Sequence, residues 1–137
     1  MKNTDLMIGD WVHWQDHPTD AYQWANFQVT EMGADSIKTD FCGDEFFYDE
    51  LEPIELTPDI LKRSGLELED EWWSWRRLGV PTGNLYVSVA FRGDDVAVYD
   101  VEIMGYHNAH ICHHLNYVHE LQHLFRLFGI DIELKIE

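Results

Sequence analysis

Apolar and polar positions change their period along the chain, and each period predicts an element. Met7 to Trp14 and Trp24 to Met32 carry the aromatic and β-branched residues of strands. The segment Asp16-His17-Pro18-Thr19-Asp20 between them reads as a loop. Two shorter strands are expected over Ser36 to Thr39 and Glu45 to Tyr48, giving the rhythm of a small, SH3-like or barrel-like antiparallel sheet. In LEPIELTPDILKRSG, Thr57 is placed to cap a short helix and Pro58 suits its first turn. Gly65 supplies the left-handed residue that ends it.

Farther on, Leu85 to Arg92 alternates strictly, Gly93-Asp94-Asp95 turns, and Val96 to Met104 alternates again, which predicts a hairpin. A third strand is expected over Ala109 to Leu115. Asn116 then caps a helix over Tyr117 to Phe128 that Gly129 stops. At 100° per residue, Val118, Leu121, Phe125 and Phe128 share an apolar face, with His119, His123 and Arg126 opposite. The expected fold class is therefore α+β: a barrel-like sheet, a short helix, and a β-β-β-α unit closed by the C-terminal helix.

Charge divides the chain at about the same place. Residues 1–71 hold 18 acids and four bases, and residues 72–137 hold eight and five. Two lobes meeting near Glu71 are expected, within one compact domain because no Gly/Ser/Pro-rich linker separates them. The 137 residues exclude a large multidomain enzyme, and the 45% apolar content excludes a disordered chain. The net charge of −17 disfavours direct contact with nucleic acid or an anionic membrane. The opening MKNTDLMIGDWV lacks the pattern of an export signal, no stretch matches a membrane span, and Cys42 and Cys112 form no C-x-x-C. A cytoplasmic protein with reduced thiols is expected.

The sharpest chemical pattern is His119-Glu120-Leu121-Gln122-His123, an H-E-x-x-H. On a helix this spacing sets two imidazoles one turn apart to hold zinc while the glutamate activates water. Catalytic zinc needs a third protein ligand, and only 14 residues follow His123. The metzincin extension is absent, since Arg126 and Gly129 stand where glycine and histidine would be required. His107, His110, His113 and His114 are alternative donors, but His113 and His114 are adjacent and point to opposite faces of a strand. The preferred reading takes the motif as solvated helix surface, with no cofactor; a zinc hydrolase with ligands His119 and His123 and general base Glu120 is the alternative.

Trp72, Trp73 and Trp75, beside Arg76 and Arg77, offer either a seam between the lobes or an aromatic platform for a protein partner. Packing is the more economical account, and these three remain the candidate binding residues. Asp40, Asp44, Glu45, Asp49, Glu50, Glu52 and Glu55 form a base-free acidic run, read as a solvated face or alternatively as an acidic mimic of DNA that inhibits a DNA-binding protein. Arg92-Gly93-Asp94 is read as a turn.

Three segments, IGDWV, LEPIELTPDILKRSG and NYVHELQHLFRLFG, resemble a family of uncharacterised bacterial proteins common in Bacteroidetes and often carried on prophages or other mobile elements. Similar proteins have a related closing helix in which asparagine can replace His123 and glutamine Glu120, so the resemblance implies an incidental zinc motif. It implies no catalytic residue. The expected role is a non-enzymatic accessory or interaction protein of phage or mobile-element origin, with a protein partner and homo-oligomerisation as one mode of assembly.

Overall fold

The computed structural model describes residues 5–14, 26–40, 45–93, 95–105 and 112–136, with backbone only at 95–97, 112 and 113. These residues build an α+β protein of two antiparallel five-stranded sheets and two helices. Contacts divide the chain into two units. The first comprises Met1–Ile54 with Tyr117–His123, and the second Glu55–Asn116 with Leu124–Glu137.

The sheet of the first unit contains β1 (Trp11–Trp14), β2 (Asn26–Met32), β3 (Ser36–Thr39), β4 (Glu45–Phe47) and β5 (Leu51–Glu52), in the order β4-β3-β2-β1-β5. The predicted strand from Met7 begins only at Trp11. Gly9 adopts φ 92°, and the Asp10 amide donates to the Met7 carbonyl, so residues 7–10 turn instead. Alternation in β2 sends Phe27 and Val29 inward, where they join Leu6, Val12, Ile37, Phe46, Tyr48 and Leu51 in a buried core. A register shift between Val29 and Glu31 bends β2 against β3. Among the described residues the ladder is open, running from β4 to β5 without pairing its two ends.

In the second unit, α1 (Pro58–Arg63) forms as the local signals require. Thr57 Oγ1 accepts from the Ile60 amide at 3.2 Å, and Gly65 takes φ 105°. Its C-terminal end holds the last described residues: Arg63 Nη1 donates to the Ile136 carbonyl, and the Lys135 amide donates to Ser64 Oγ. The sheet is a meander, β6 (Glu67–Trp72), β7 (Trp75–Thr82), β8 (Leu85–Arg92), β9 (Asp95–Met104) and β10 (Cys112–Leu115), each strand paired with the next.

The expected three-stranded unit is thus five-stranded, and Glu71 lies inside β6, paired with Arg76. Every residue of β6 is exposed, so no apolar alternation marks it in the sequence. As an edge strand it carries Glu67, Glu69, Asp70 and Glu71, whose charge opposes edge-to-edge pairing with another chain.

Register gives this sheet two unlike faces. Leu78 of β7, Val87, Val89 and Phe91 of β8, Tyr99, Val101 and Ile103 of β9 and Leu115 of β10 point one way, and all are buried. Each fully buried side chain of this size contributes roughly 1.5–3 kcal/mol. The opposite face carries Trp75, Arg77, Ser88, Ala90, Asp100 and Glu102. The last helix, α2 (Val118–Leu127), ends at Gly129 with φ 65°, as its sequence predicts.

Candidate functional site

Two clusters drew attention in the sequence, and the structure treats them differently. The first is the H-E-x-x-H segment of α2, whose side chains are engaged within the first unit. Glu120 Oε1 accepts from the Tyr117 amide at 3.0 Å, a reach back to the helix N-terminus that satisfies one otherwise orphaned donor. Gln122 clasps the turn before β1: its Oε1 accepts from the Trp11 amide at 3.0 Å, and its Nε2 donates to the Gly9 carbonyl at 3.1 Å. His123 Nε2 lies 2.5 Å from Oδ2 of Asp10, a fully buried carboxylate that also accepts from the Met7 amide.

His119 is buried, stacked on Tyr117 with centroids 5.9 Å apart and edge-on to His123 at 5.6 Å. The expectation of a solvated imidazole face is corrected here. This face of α2 packs on the turn that contains Asp10, an acceptor more than 100 residues away in sequence. Among the described residues no group of three or more His, Cys, Asp or Glu is disposed to hold a metal ion. His107 and His110 lie outside the described residues, as do Asp44 and Cys42 of the acidic stretch and the Asp94 end of the Arg-Gly-Asp turn.

Burial pushes the His119 pKa below the ordinary histidine value; the nearby Asp10 carboxylate opposes this and His123 reinforces it. Its unfolded form binds a proton near pH 6.5, whereas the folded form does so only at lower pH. Stability contributed by this residue is therefore complete above the unfolded value and falls as pH drops from about 6.5 toward the folded one. In thermal melts, His119→Phe is expected to flatten the acid slope relative to the parent chain; parallel slopes would place the acid sensitivity elsewhere.

The second cluster lies on the open face of the second unit's sheet. Trp72 and Trp75 are paired across the β6–β7 hairpin, and Trp73 stands in its two-residue turn with φ 56°. Trp73 is 97% exposed and Trp72 38%. The reading of Trp73 as packing material is corrected: at the hairpin tip its side chain meets solvent. A bulky residue in the left-handed region costs about 1–2 kcal/mol, and here no burial offsets that cost.

Beneath the hairpin, Trp72, Trp75 and Arg77 wall a pocket of about 200 Å³. Ser88, Ala90, Asp100 and Glu102 form the remainder. Register sets these residues side by side, with Arg77 opposite Ala90, Ala90 opposite Asp100, and Ser88 opposite Glu102. The Arg77 guanidinium lies over the Trp72 ring at 5.5 Å. His114 Nδ1, on the neighbouring β10, is 2.8 Å from Asp100 Oδ1. Among the described residues Ser88 Oγ and Arg77 Nε are buried without a hydrogen-bond partner, although Ser88 as a whole is only 2% exposed.

Ser88, Asp100 and Glu102 were not singled out in the sequence. The signal available was their polar character at outward positions of two strongly alternating strands. Their convergence depends on register, which alternation alone does not specify. The fold and this face define an α+β protein with one sheet face buried and the other chemically equipped. No protein-family model, curated protein or solved structure matches the chain.

Proposed function

We propose that this chain is a non-enzymatic interaction protein that docks a protein partner through the tryptophan hairpin of Trp72, Trp73 and Trp75. The observation that carries this reading is Trp73, 97% exposed in a left-handed backbone conformation. Folding gains nothing from such a residue, whereas interfaces draw much of their affinity from buried tryptophan and arginine. Arg77, stacked on Trp72, adds a second residue of that kind. The resemblance of IGDWV, LEPIELTPDILKRSG and NYVHELQHLFRLFG to proteins of prophages and mobile elements supports an accessory role in that setting, in the cytoplasm.

The zinc-hydrolase reading is weaker because Glu120 serves the helix N-terminus and His123 faces a carboxylate. The acidic-mimic reading is weaker because several carboxylates of the stretch serve the fold locally. Asp40 accepts from the Gln28 amide, Glu45 from Ser36 Oγ, and Glu50 from the Phe47 amide.

Trp73→Gly tests the proposal with two readouts. Relief of the left-handed strain is expected to raise stability by about 1 kcal/mol in denaturant titration. Proteins retained by the immobilised parent chain from a lysate of the encoding organism are expected to be lost from the variant. Equal retention by both proteins, or no retention by the parent, would sink the docking role.

A further inference from the structure

We infer that the pocket below the hairpin receives an arginine side chain of the docked partner. The inference deepens the docking reading and rests on it for the identity of the ligand's source. Charge selects a cation: Asp100 and Glu102 contribute two carboxylates against the single guanidinium of Arg77, in a chain of net charge −17. An acidic pair alone would not define a site. The second observation is the Ser88 hydroxyl, nine-tenths and more buried, lining the pocket and lacking a hydrogen-bond partner among the described residues. Buried hydroxyls without partners are rare in folded chains, because each costs the free energy of its lost hydration.

Geometry selects guanidinium over ammonium. Asp100 and Glu102 are two residues apart on one strand face, a spacing of roughly 6.5–7 Å along the strand. A planar group with five N–H donors can reach both carboxylates and still donate to Ser88, which sits directly opposite Glu102. Trp72 and Trp75 supply flat walls, and Trp72 already accommodates one guanidinium, that of Arg77. Ala90, between Arg77 and Asp100 in the register, leaves the floor low enough for a stacked plane to enter. The remaining orphan donor, Arg77 Nε, requires an acceptor, which a main-chain carbonyl beside the incoming arginine provides. Among the described residues the His114 imidazole also stands beside Asp100, its Nδ1 2.8 Å from Oδ1, so the incoming group shares that carboxylate with it.

The experiment uses the full chain and the two-dimensional NMR signals of its backbone amides and indole N–H groups, at a pH above the ordinary histidine range. N-acetyl-arginine amide is titrated in, then the neutral isostere N-acetyl-citrulline amide, then N-acetyl-lysine amide. Saturable shifts confined to Ser88, Ala90, Asp100, Glu102 and the Trp72 and Trp75 indoles are expected with arginine in the millimolar range, about tenfold weaker with citrulline and weaker with lysine. Glu102→Gln is expected to weaken the arginine response about tenfold while leaving the rest of the spectrum in place.

Equal responses to arginine and citrulline, or no saturable response to arginine, would overturn the inference. A preference for lysine would also overturn it, since the walls would then recognise an ammonium. These outcomes separate the two claims. If Trp73→Gly strips the partner and the amides do not discriminate, docking stands and the arginine pocket falls. If arginine binds selectively and Trp73→Gly retains the partner, the pocket stands and the role of the hairpin tip falls.

Discussion

Asp10→Ala is expected to lower the stability of the first unit by about 2–3 kcal/mol, the scale for leaving buried or partly buried hydrogen-bonding groups without their acceptor. Asp10 is fully buried, and its Oδ2 serves both the Met7 amide and His123. Alanine would leave a backbone N–H and a partly buried imidazole without their acceptor, while the neighbouring clasp of Gln122 on Gly9 and Trp11 lost its anchor. Against a typical total of 5–15 kcal/mol, such a loss is large and shows as an early urea transition reported by Trp11 and Trp14 fluorescence. Asp10→Asn, which preserves an oxygen acceptor for Met7, is expected to lose less. A midpoint for Asp10→Ala within about 0.5 kcal/mol of the parent, the range of ordinary surface substitutions, would show that the latch contributes nothing.

The same latch explains why the H-E-x-x-H segment misled a reading by local pattern. Helical spacing correctly placed His119 and His123 on one side of α2 and Leu121 on the other. It could not announce that a buried carboxylate from residue 10 would meet that side. Information of this kind lies in long-range contacts, whereas α1 was legible because Thr57, Pro58 and Gly65 act within a few residues of one another. Gly129 was legible at the end of α2 for the same reason.

Strands were legible in proportion to how unequally their two faces are buried. The β8–β9 hairpin alternates because one side enters the core. The solvent-covered β6 shows no alternation at all, and β7 is interrupted by Gly79 and Pro81. Missing those two strands moved the apparent lobe boundary to Glu71 and turned the tryptophans into a seam. Once Trp72 is paired with Trp75, the same residues become the tip and flank of a hairpin. The tryptophans stood out by type in the sequence, while their setting required the register of strands invisible to periodicity.

The sharpest consequence of that register concerns two adjacent residues with opposite duties. Val89 is fully buried, paired with Leu78 on one side and Val101 on the other, both also fully buried. Val89→Asp would place an unpaired carboxylate in that layer, a cost of several kcal/mol that is expected to leave the second unit unfolded at room temperature. Ser88, one position earlier, faces the pocket, and its partnerless hydroxyl makes the parent chain less stable than it need be. Ser88→Val is therefore expected to raise stability by about 1 kcal/mol, through removal of a buried unsatisfied group and the preference of valine for strands. It is also expected to abolish the arginine response by filling the pocket. Circular dichroism melts of the two variants, with the arginine titration repeated on Ser88→Val, check both statements. A folded Val89→Asp would refute the facial assignment. A Ser88→Val chain that lost stability would mean the hydroxyl serves the fold, whereas one that gained stability and lost binding would identify Ser88 as a residue kept for its ligand at the fold's expense.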